Sequence, residues 1–208
     1  VENRDGKPTK VPYVAGSTQR ASSTAPADWR TFDEAFAAFQ ADQTILGVGF
    51  VFASAGGFCG VDIDDCRDAQ TGIVLPWAQE IISLLASYTE ISPSGTGVKI
   101  FLRASKPGKK CRKRYASGEI EMYDRDRFFT VTGGHLEGSP LSVEARQDEL
   151  SALYATVFGA EEKKGQSKED DSSAEPPVSL SDDEIVTLIT SSRKGNEKFA
   201  ALWAGRWN

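Results

Sequence analysis

The feature that most constrains the fold is an apolar run that ends on two aspartates. The run begins with Phe50-Val51-Phe52, continues to Phe58 and leads into Val61-Asp62-Ile63-Asp64. In a β-strand, Asp62 and Asp64 would share one face, with Cα atoms roughly 6.5–7 Å apart, while Val61 and Ile63 are buried on the other. Two carboxylates on a rigid strand suit a pair of divalent cations. The competing interpretation is a strand that ends in an acidic turn, because Asp is common in loops.

The hydrophobic pattern predicts a mixed α and β domain. Helices are expected at residues 31–40, 72–88 and 143–158, the first with Thr31 as its N-cap. Strands are expected at residues 45–52, 58–63, 98–102, 119–123 and 128–132. The first two strands flank a Gly-rich turn and are predicted to pair as a hairpin. The first thirty residues predict extended chain and turns.

The chain is predicted to contain one folded domain, a linker and a further helical segment. The domain is expected to span residues 1–158. The charged stretch 159–179, poor in large apolar residues, predicts a flexible linker. Residues 180–208 predict the start of a small helical module that is truncated, because its apolar residues are too few to build a core of their own.

Composition and charge exclude several classes of protein. No run approaches 18 apolar residues and the N-terminus is polar, so neither a membrane span nor a signal peptide is expected, and a cytoplasmic location is predicted. Three cysteines without a close Cys/His cluster argue against a disulfide framework or a structural zinc site. The formal net charge of −6 argues against a uniformly basic nucleic-acid surface.

A local basic strip interrupts this acidic background. It consists of Lys106, Lys109, Lys110, Arg112, Lys113 and Arg114. Such a strip can bind phosphates on a globally acidic protein. A solvated hairpin is equally compatible with the charge pattern.

Two further patterns indicate phosphate chemistry. The turn at residues 94–97, Ser-Gly-Thr-Gly, offers hydroxyls and backbone N–H groups with little steric bulk, and Lys99 follows it two residues into a strand. A plain Gly-rich turn is the alternative, since the pattern is neither a P-loop nor a dinucleotide fingerprint. Glu121 adds a third carboxylate on a later strand.

The acidic pair, the Gly-rich turn with Lys99 and the strand with Glu121 follow one another along the chain. This series of motifs resembles that of the archaeo-eukaryotic primase superfamily, in particular the primase-polymerase domains of phage and plasmid replication proteins. The first motif of the family is matched by residues 61–64, the second in position by residues 92–99 and the third by Ile120-Glu121. The family has a His in the second motif where this chain has Lys99. The resemblance covers nearly the whole chain.

The resemblance implies an α+β fold whose central, largely antiparallel sheet is related to the RNA-recognition fold and is flanked by helices. It implies template-directed nucleotidyl transfer, as DNA primase or DNA polymerase, in replication of a mobile element. The catalytic, metal-binding residues implied are Asp62, Asp64 and Glu121, holding two Mg²⁺ or Mn²⁺ ions. The nucleoside triphosphate is assigned to Ser94, Gly95, Lys99, Arg127 and His135. Template contacts are assigned to Lys7, Lys10 and the six residues of the basic strip.

The expected partners are single-stranded or primed DNA, nucleotides and a helicase domain or subunit, with no membrane. Two alternatives remain open. A two-metal nuclease uses the same chemistry with water as the nucleophile, although Lys99 and the preceding turn favour a triphosphate. A non-catalytic nucleic-acid-binding replication module is the other, and the retention of three mutually repelling carboxylates argues against it.

Overall fold

A computed structural model describes residues 2–4, 7–45 and 47–159. These residues form an α+β domain with a mostly antiparallel sheet and three α-helices, so the predicted fold class is confirmed. Beyond Gly159, the predicted linker and the predicted helical segment lie outside the described residues. Within the described ranges, no helix is long and apolar enough to cross a membrane.

The described ranges contain ten strands and three α-helices, together with a 3-10 turn at Pro26–Asp28. The strands are β1 (Glu2–Arg4), β2 (Lys7–Thr9), β3 (Val48–Phe52), β4 (Phe58–Asp64), β5 (Thr89–Ile91), β6 (Val98–Arg103), β7 (Arg112–Tyr115), β8 (Gly118–Tyr123), β9 (Arg127–Val131) and β10 (Glu144–Ala145). The helices are α1 (Phe32–Ala41), α2 (Pro76–Leu85) and α3 (Gln147–Phe158).

Helix boundaries follow local chemistry. Thr31 caps α1 as predicted, because its side chain accepts the backbone N–H of Glu34 while the Glu34 carboxylate accepts that of Thr31. α2 starts later than predicted, at Pro76, whose fixed φ suits the first helical position. α3 also starts later than predicted, because Glu144 and Ala145 first form a short strand beside β6.

The main sheet has six strands. Its order is β10-β6-β4-β8-β7, with β5 also paired to β6, and only the β10–β6 pairing is parallel. The central strand β4 is therefore bordered by β6 and β8. The basic strip supplies β7, an edge strand that the hydrophobic pattern did not predict.

The two faces of the main sheet have different surroundings. Helices α2 and α3 cover one face, where the fully buried sheet residues include Val61, Ile63, Val98, Ile100, Leu102, Ile120 and Met122. Burial of each such side chain contributes about 1.5–3 kcal/mol. The opposite face carries Asp62, Lys99 and Glu121, since they alternate with those apolar positions.

The predicted hairpin between residues 45–52 and 58–63 is wrong. β3 pairs with β9 in a separate two-stranded ribbon, while β4 pairs with β6 and β8. The Phe52 ring meets the Phe129 ring edge to face with centroids 4.9 Å apart. Gly60 of β4 makes room for both rings, because a Cβ there would lie closer than 3.0 Å to each. Aromatic packing across the ribbon thus outweighs pairing between strands adjacent in sequence.

Candidate active site

A row of charged residues crosses the main sheet. Strand register places Glu90, Lys99, Asp62, Glu121 and Arg112 opposite one another on β5, β6, β4, β8 and β7. Residues directly opposite on antiparallel strands share a face, with Cβ atoms roughly 4.5–5.5 Å apart. Two carboxylates therefore lie side by side at the centre of the row, with a cation on each side of the pair.

Lys99 contacts Asp62 directly. Its Nζ pairs with Asp62 Oδ2 and lies 4.7 Å from the centroid of the Phe129 ring. The two charged residues are almost inaccessible, with 5% of Lys99 and 9% of Asp62 exposed. Among the described residues, Asp62 Oδ1 is buried without a hydrogen-bond partner. A buried carboxylate oxygen without a partner lowers stability unless another donor or cation satisfies it.

Glu121 is bracketed by two arginines. Its Oε1 lies 3.3 Å from Arg112 Nε, and its Oε2 lies 3.4 Å from Arg127 Nη2. Arg112 also pairs with Glu119, at 2.5 Å between Nη2 and Oε1. The arginine side chains are 63% and 50% exposed, so both guanidinium groups are accessible to a bound anion.

Asp64 lies at the end of β4 and is half-buried. Burial, followed by the negative charge of Asp62, raises the pKa of the Asp64 carboxyl above its usual 3.8. Lys10 lies within electrostatic range of both aspartates. Partial burial and the nearby Lys99 charge lower the pKa of Lys10, while the two carboxylates oppose that shift. Lys7, the other predicted N-terminal template contact, lies on β2.

The Ser-Gly-Thr-Gly turn lies beside the end of β4. A Cβ on Gly97 would be 2.5 Å from the carbonyl oxygen of Ile63 and 3.3 Å from the Cα of Asp64. Only glycine allows this approach without moving the strand. The predicted nucleotide-binding turn and the acidic pair are thus brought together.

The hydroxyls of this turn are linked by hydrogen bonds, and two of its backbone N–H groups donate within the turn. The side-chain oxygens of Ser92, Ser94 and Thr96 form a chain with 2.9 Å at each step. The N–H of Gly95 donates to the carbonyl oxygen of Ser92, and the N–H of Gly97 donates to the hydroxyl oxygen of Ser92. Ser94 is exposed, and its assignment to the nucleotide stays a prediction.

The sequence pattern did not identify Arg67, which fastens the same turn. Its Nη1 donates to the carbonyl of Gly95 at 2.7 Å, and its backbone N–H donates to the carbonyl of Thr96 at 3.0 Å. No local signal links Arg67 to this turn, because the contact is made across 28 residues of chain.

A second residue that the sequence pattern did not identify is Glu90, which is fully buried. One of its oxygens accepts the hydroxyl of Tyr88 at 2.7 Å and the N–H of Gly133 at 3.2 Å. The other accepts the N–H of Thr132 at 2.7 Å and its hydroxyl at 3.0 Å. Glu90 therefore anchors the chain as it leaves β9.

His135 lies in the loop that Glu90 anchors. Its ring stacks on Tyr88 with centroids 5.6 Å apart, and its Nε2 lies 3.1 Å from the carbonyl oxygen of Ser139. These contacts hold the imidazole within its own loop. Its assignment to the nucleotide stays a prediction.

Three lysines of the basic strip bind backbone carbonyls. Lys110 and Lys113 donate to the last turn of α3, at 2.9 and 2.5 Å, where the helix dipole favours a cation. Lys106 donates to the backbone of its own loop. Lys109 and Arg114 are exposed. The strip therefore contains lysines whose ammonium groups bind carbonyls, and most of its side chains are exposed to solvent.

The carboxylates suit a hard divalent cation, since Mg²⁺ and Mn²⁺ prefer oxygen ligands. In the part of the chain that the structure describes, no three Asp, Glu, His or Cys side chains converge into a metal-binding group. Asp62 is turned toward Lys99, and Glu121 is turned toward its two arginines. The free Oδ1 of Asp62 is an acceptor that a cation would satisfy, so these residues fit a divalent ion once the ion pairs rearrange.

The fold and the site together define a class of protein: an α+β domain whose antiparallel sheet carries paired carboxylates flanked by cations. No protein-family model matches the chain. A DNA primase-polymerase of Nitratiruptor phage NrS-1 is 30% identical to it over 190 residues, which cover 90% of this chain and 25% of that protein. The chain thus spans about a quarter of the length of this relative. This similarity confirms the resemblance to primase-polymerase domains that was inferred from the sequence.

Proposed function

We propose that this chain is the nucleotidyl-transfer domain of a DNA primase-polymerase that replicates a mobile element. The observation that carries the proposal is the placement of Asp62 and Glu121 side by side on adjacent strands, with Lys99 and Arg112 on either side. A triphosphate with divalent cations needs both charge types at one place. The relationship to a phage DNA primase-polymerase supports the same activity.

Asp62, Asp64 and Glu121 would hold Mg²⁺ or Mn²⁺. Bound there, the ions would stabilise charge on the attacking and leaving oxygens of the transfer reaction. The residues themselves supply a rigid support, since Asp62 and Glu121 belong to adjacent strands of the sheet and Asp64 ends one of them.

The remaining side chains of the site would bind and orient the nucleotide. Arg112 and Arg127 contact Glu121 through exposed guanidinium groups, and a planar guanidinium can turn to a phosphate and bind two oxygens. Ser94 adds a hydroxyl donor at the end of β4. Arg67 would keep that hydroxyl in place by holding the turn.

The template is proposed to follow the exposed cations. Lys109 and Arg114 of the basic strip, together with Lys10 near the acids, would contact the DNA backbone without reading its sequence. Binding should then weaken as salt rises, because neutralised phosphates release counterions. A helicase domain or subunit is the proposed protein partner.

Primer extension tests the proposal. A labelled, primed DNA template is incubated with deoxynucleotides or ribonucleotides and with Mg²⁺ or Mn²⁺. The Asp62→Ala/Asp64→Ala variant should abolish extension, because it removes two of the three ligands. The matched control, Asp33→Ala/Glu137→Ala, removes the same charge from exposed positions and should extend normally.

The other outcomes separate the alternatives. Template binding without extension under any condition would overturn the proposal in favour of a non-catalytic binding module, which the ion-paired state of the acids would then explain. Metal-dependent degradation of DNA in the absence of nucleotides would favour a nuclease.

A further inference from the structure

We propose that Lys99 is a resident counter-ion of Asp62 that competes with the divalent cation and thereby sets the metal affinity of the site. The inference rests on the proposed function, because it takes Asp62 as a metal ligand. It assigns to Lys99 a task in addition to the nucleotide contact that the sequence predicts.

Backbone geometry forces the contact between these two residues. Asp62 on β4 and Lys99 on β6 are direct partners in the strand register, so their side chains leave the sheet together. The ammonium also lies over the Phe129 ring, which itself is only 2% exposed. Lys99 is therefore held in place from two sides, unlike a surface lysine that moves freely in water.

Two cations that bind one carboxylate share its negative charge and repel each other. Lys99 occupies Oδ2 of Asp62, and Oδ1 is the oxygen left for a metal ion. A divalent cation at Oδ1 would lie close to the ammonium, and their repulsion is weakly screened at a site with so little access to water. Removal of the lysine charge should therefore tighten metal binding by about tenfold or more.

The same competition links metal binding to nucleotide binding. A metal ion bound to Asp62 would partly neutralise this carboxylate, so the Lys99 ammonium would be attracted to it less strongly. The ammonium would remain over the Phe129 ring. The nearest incoming anion in the proposed reaction is the triphosphate. A metal ion should thus raise the affinity for the nucleotide by more than direct metal–phosphate contact accounts for.

Metal binding without nucleotide or DNA tests the inference on the full chain. Mn²⁺ affinity is measured by isothermal titration calorimetry for wild type, Lys99→Gln and Lys99→Met. Gln keeps a hydrogen-bond donor for Asp62 but removes the charge. The control Arg30→Met removes a positive charge from an exposed residue whose guanidinium donates to the carbonyls of Ala27 and Trp29, and it should change the affinity by less than about threefold.

Thermal stability gives a second readout. Lys99→Met leaves the Asp62 carboxylate buried without its cation, so its melting temperature without metal should fall below that of wild type. Mn²⁺ should then raise its melting temperature by more than it raises that of wild type, because the stabilisation by a ligand increases with the logarithm of its affinity for the folded state.

The outcomes distinguish the inference from the proposed function. If Asp62→Asn abolishes Mn²⁺ binding but Lys99→Gln and Lys99→Met bind no more tightly than wild type, the inference is overturned and the metal site stands. If Asp62→Asn binds Mn²⁺ as wild type does, or if no variant binds it, the metal assignment of Asp62 is overturned together with the inference. Tighter binding by both Lys99 variants supports it.

Discussion

The substitution Glu90→Gln gives a stringent test of how the β9 loop is held. The Glu90 carboxylate is fully buried and accepts four hydrogen bonds, two at each oxygen. At each oxygen, one of the two donors is a backbone N–H, from Gly133 or from Thr132. A hydroxyl can reverse its role and accept, but a backbone N–H cannot. Whichever way the Gln amide is oriented, its NH₂ group faces a backbone donor.

The expected cost follows from these contacts. At least one hydrogen bond to a charged group is lost, worth about 1.5–3 kcal/mol, and a partly buried backbone N–H is left without its acceptor, at up to about 1–3 kcal/mol. Partial relaxation of the loop reduces the sum, so the free energy of unfolding should fall by about 3 kcal/mol. For a domain of this size, that corresponds to a melting temperature lower by about 6–12 °C.

The measurement is urea unfolding followed by circular dichroism, with calorimetry for the melting temperature. Glu137→Gln is the matched control, because Glu137 lies in the same loop but is exposed, and its effect should stay within about 0.5 kcal/mol. A Glu90→Gln protein as stable as the control would refute the reasoning that the buried carboxylate anchors this loop.

Three further predictions concern packing, acid stability and DNA contacts. Gly60→Ala should lower the free energy of unfolding by about 1–3 kcal/mol in urea titrations, because its Cβ collides with two phenylalanine rings, and an unchanged midpoint would contradict this packing. Burial opposes ionisation of Asp124, but hydrogen bonds from Arg125 and the Lys106 N–H outweigh it and lower the pKa of Asp124 below its usual 3.8. The ionised Asp124 carboxylate therefore stabilises the fold above pH 3.8, and this stabilisation is lost as the pH falls through the lower pKa of the folded state. Asp124→Asn should then flatten the pH dependence of the urea midpoint between about pH 5 and 2. Arg114→Ala should weaken single-stranded DNA binding in fluorescence anisotropy and reduce the slope of log affinity against log salt by about one. Lys113→Met should leave that slope unchanged but lower the melting temperature, because it removes a contact to the last turn of α3. A lower slope for Lys113→Met would show that this lysine contacts phosphate.

The charged row explains how acids and cations coexist on one sheet. Asp62, Glu121 and Glu90 each have a neighbouring cation or several hydrogen-bond donors, so the repulsion between carboxylates is offset without a metal ion. Burial nevertheless raises the pKa of Asp64, which lies at the edge of this arrangement. The face is thus a balanced set of charges that a ligand would rearrange.

Periodicity in the sequence was sufficient to predict which side of a strand each residue occupies. Alternation along β4 predicted that Val61 and Ile63 are buried while Asp62 and Asp64 share the other face, and the structure has this arrangement for the buried pair and for Asp62. Thr31 followed by Glu34 predicted the start of α1, because a capping box depends only on residues three apart. These features are local, so the chain specifies them without reference to the rest of the fold.

Tertiary structure decided which strands are neighbours, and with them the partners of each acid. The alternation of apolar residues along a strand does not specify which strand pairs with it, since hydrophobic burial has no directional preference. Packing of Phe52 against Phe129 over Gly60 placed β3 beside β9, contrary to the predicted hairpin. Register across β6, β4 and β8 then set Lys99 against Asp62 and Asp62 against Glu121. The sequence by itself determined the residue types and the face they share, whereas their pairing into one charged row arose only when distant strands came together.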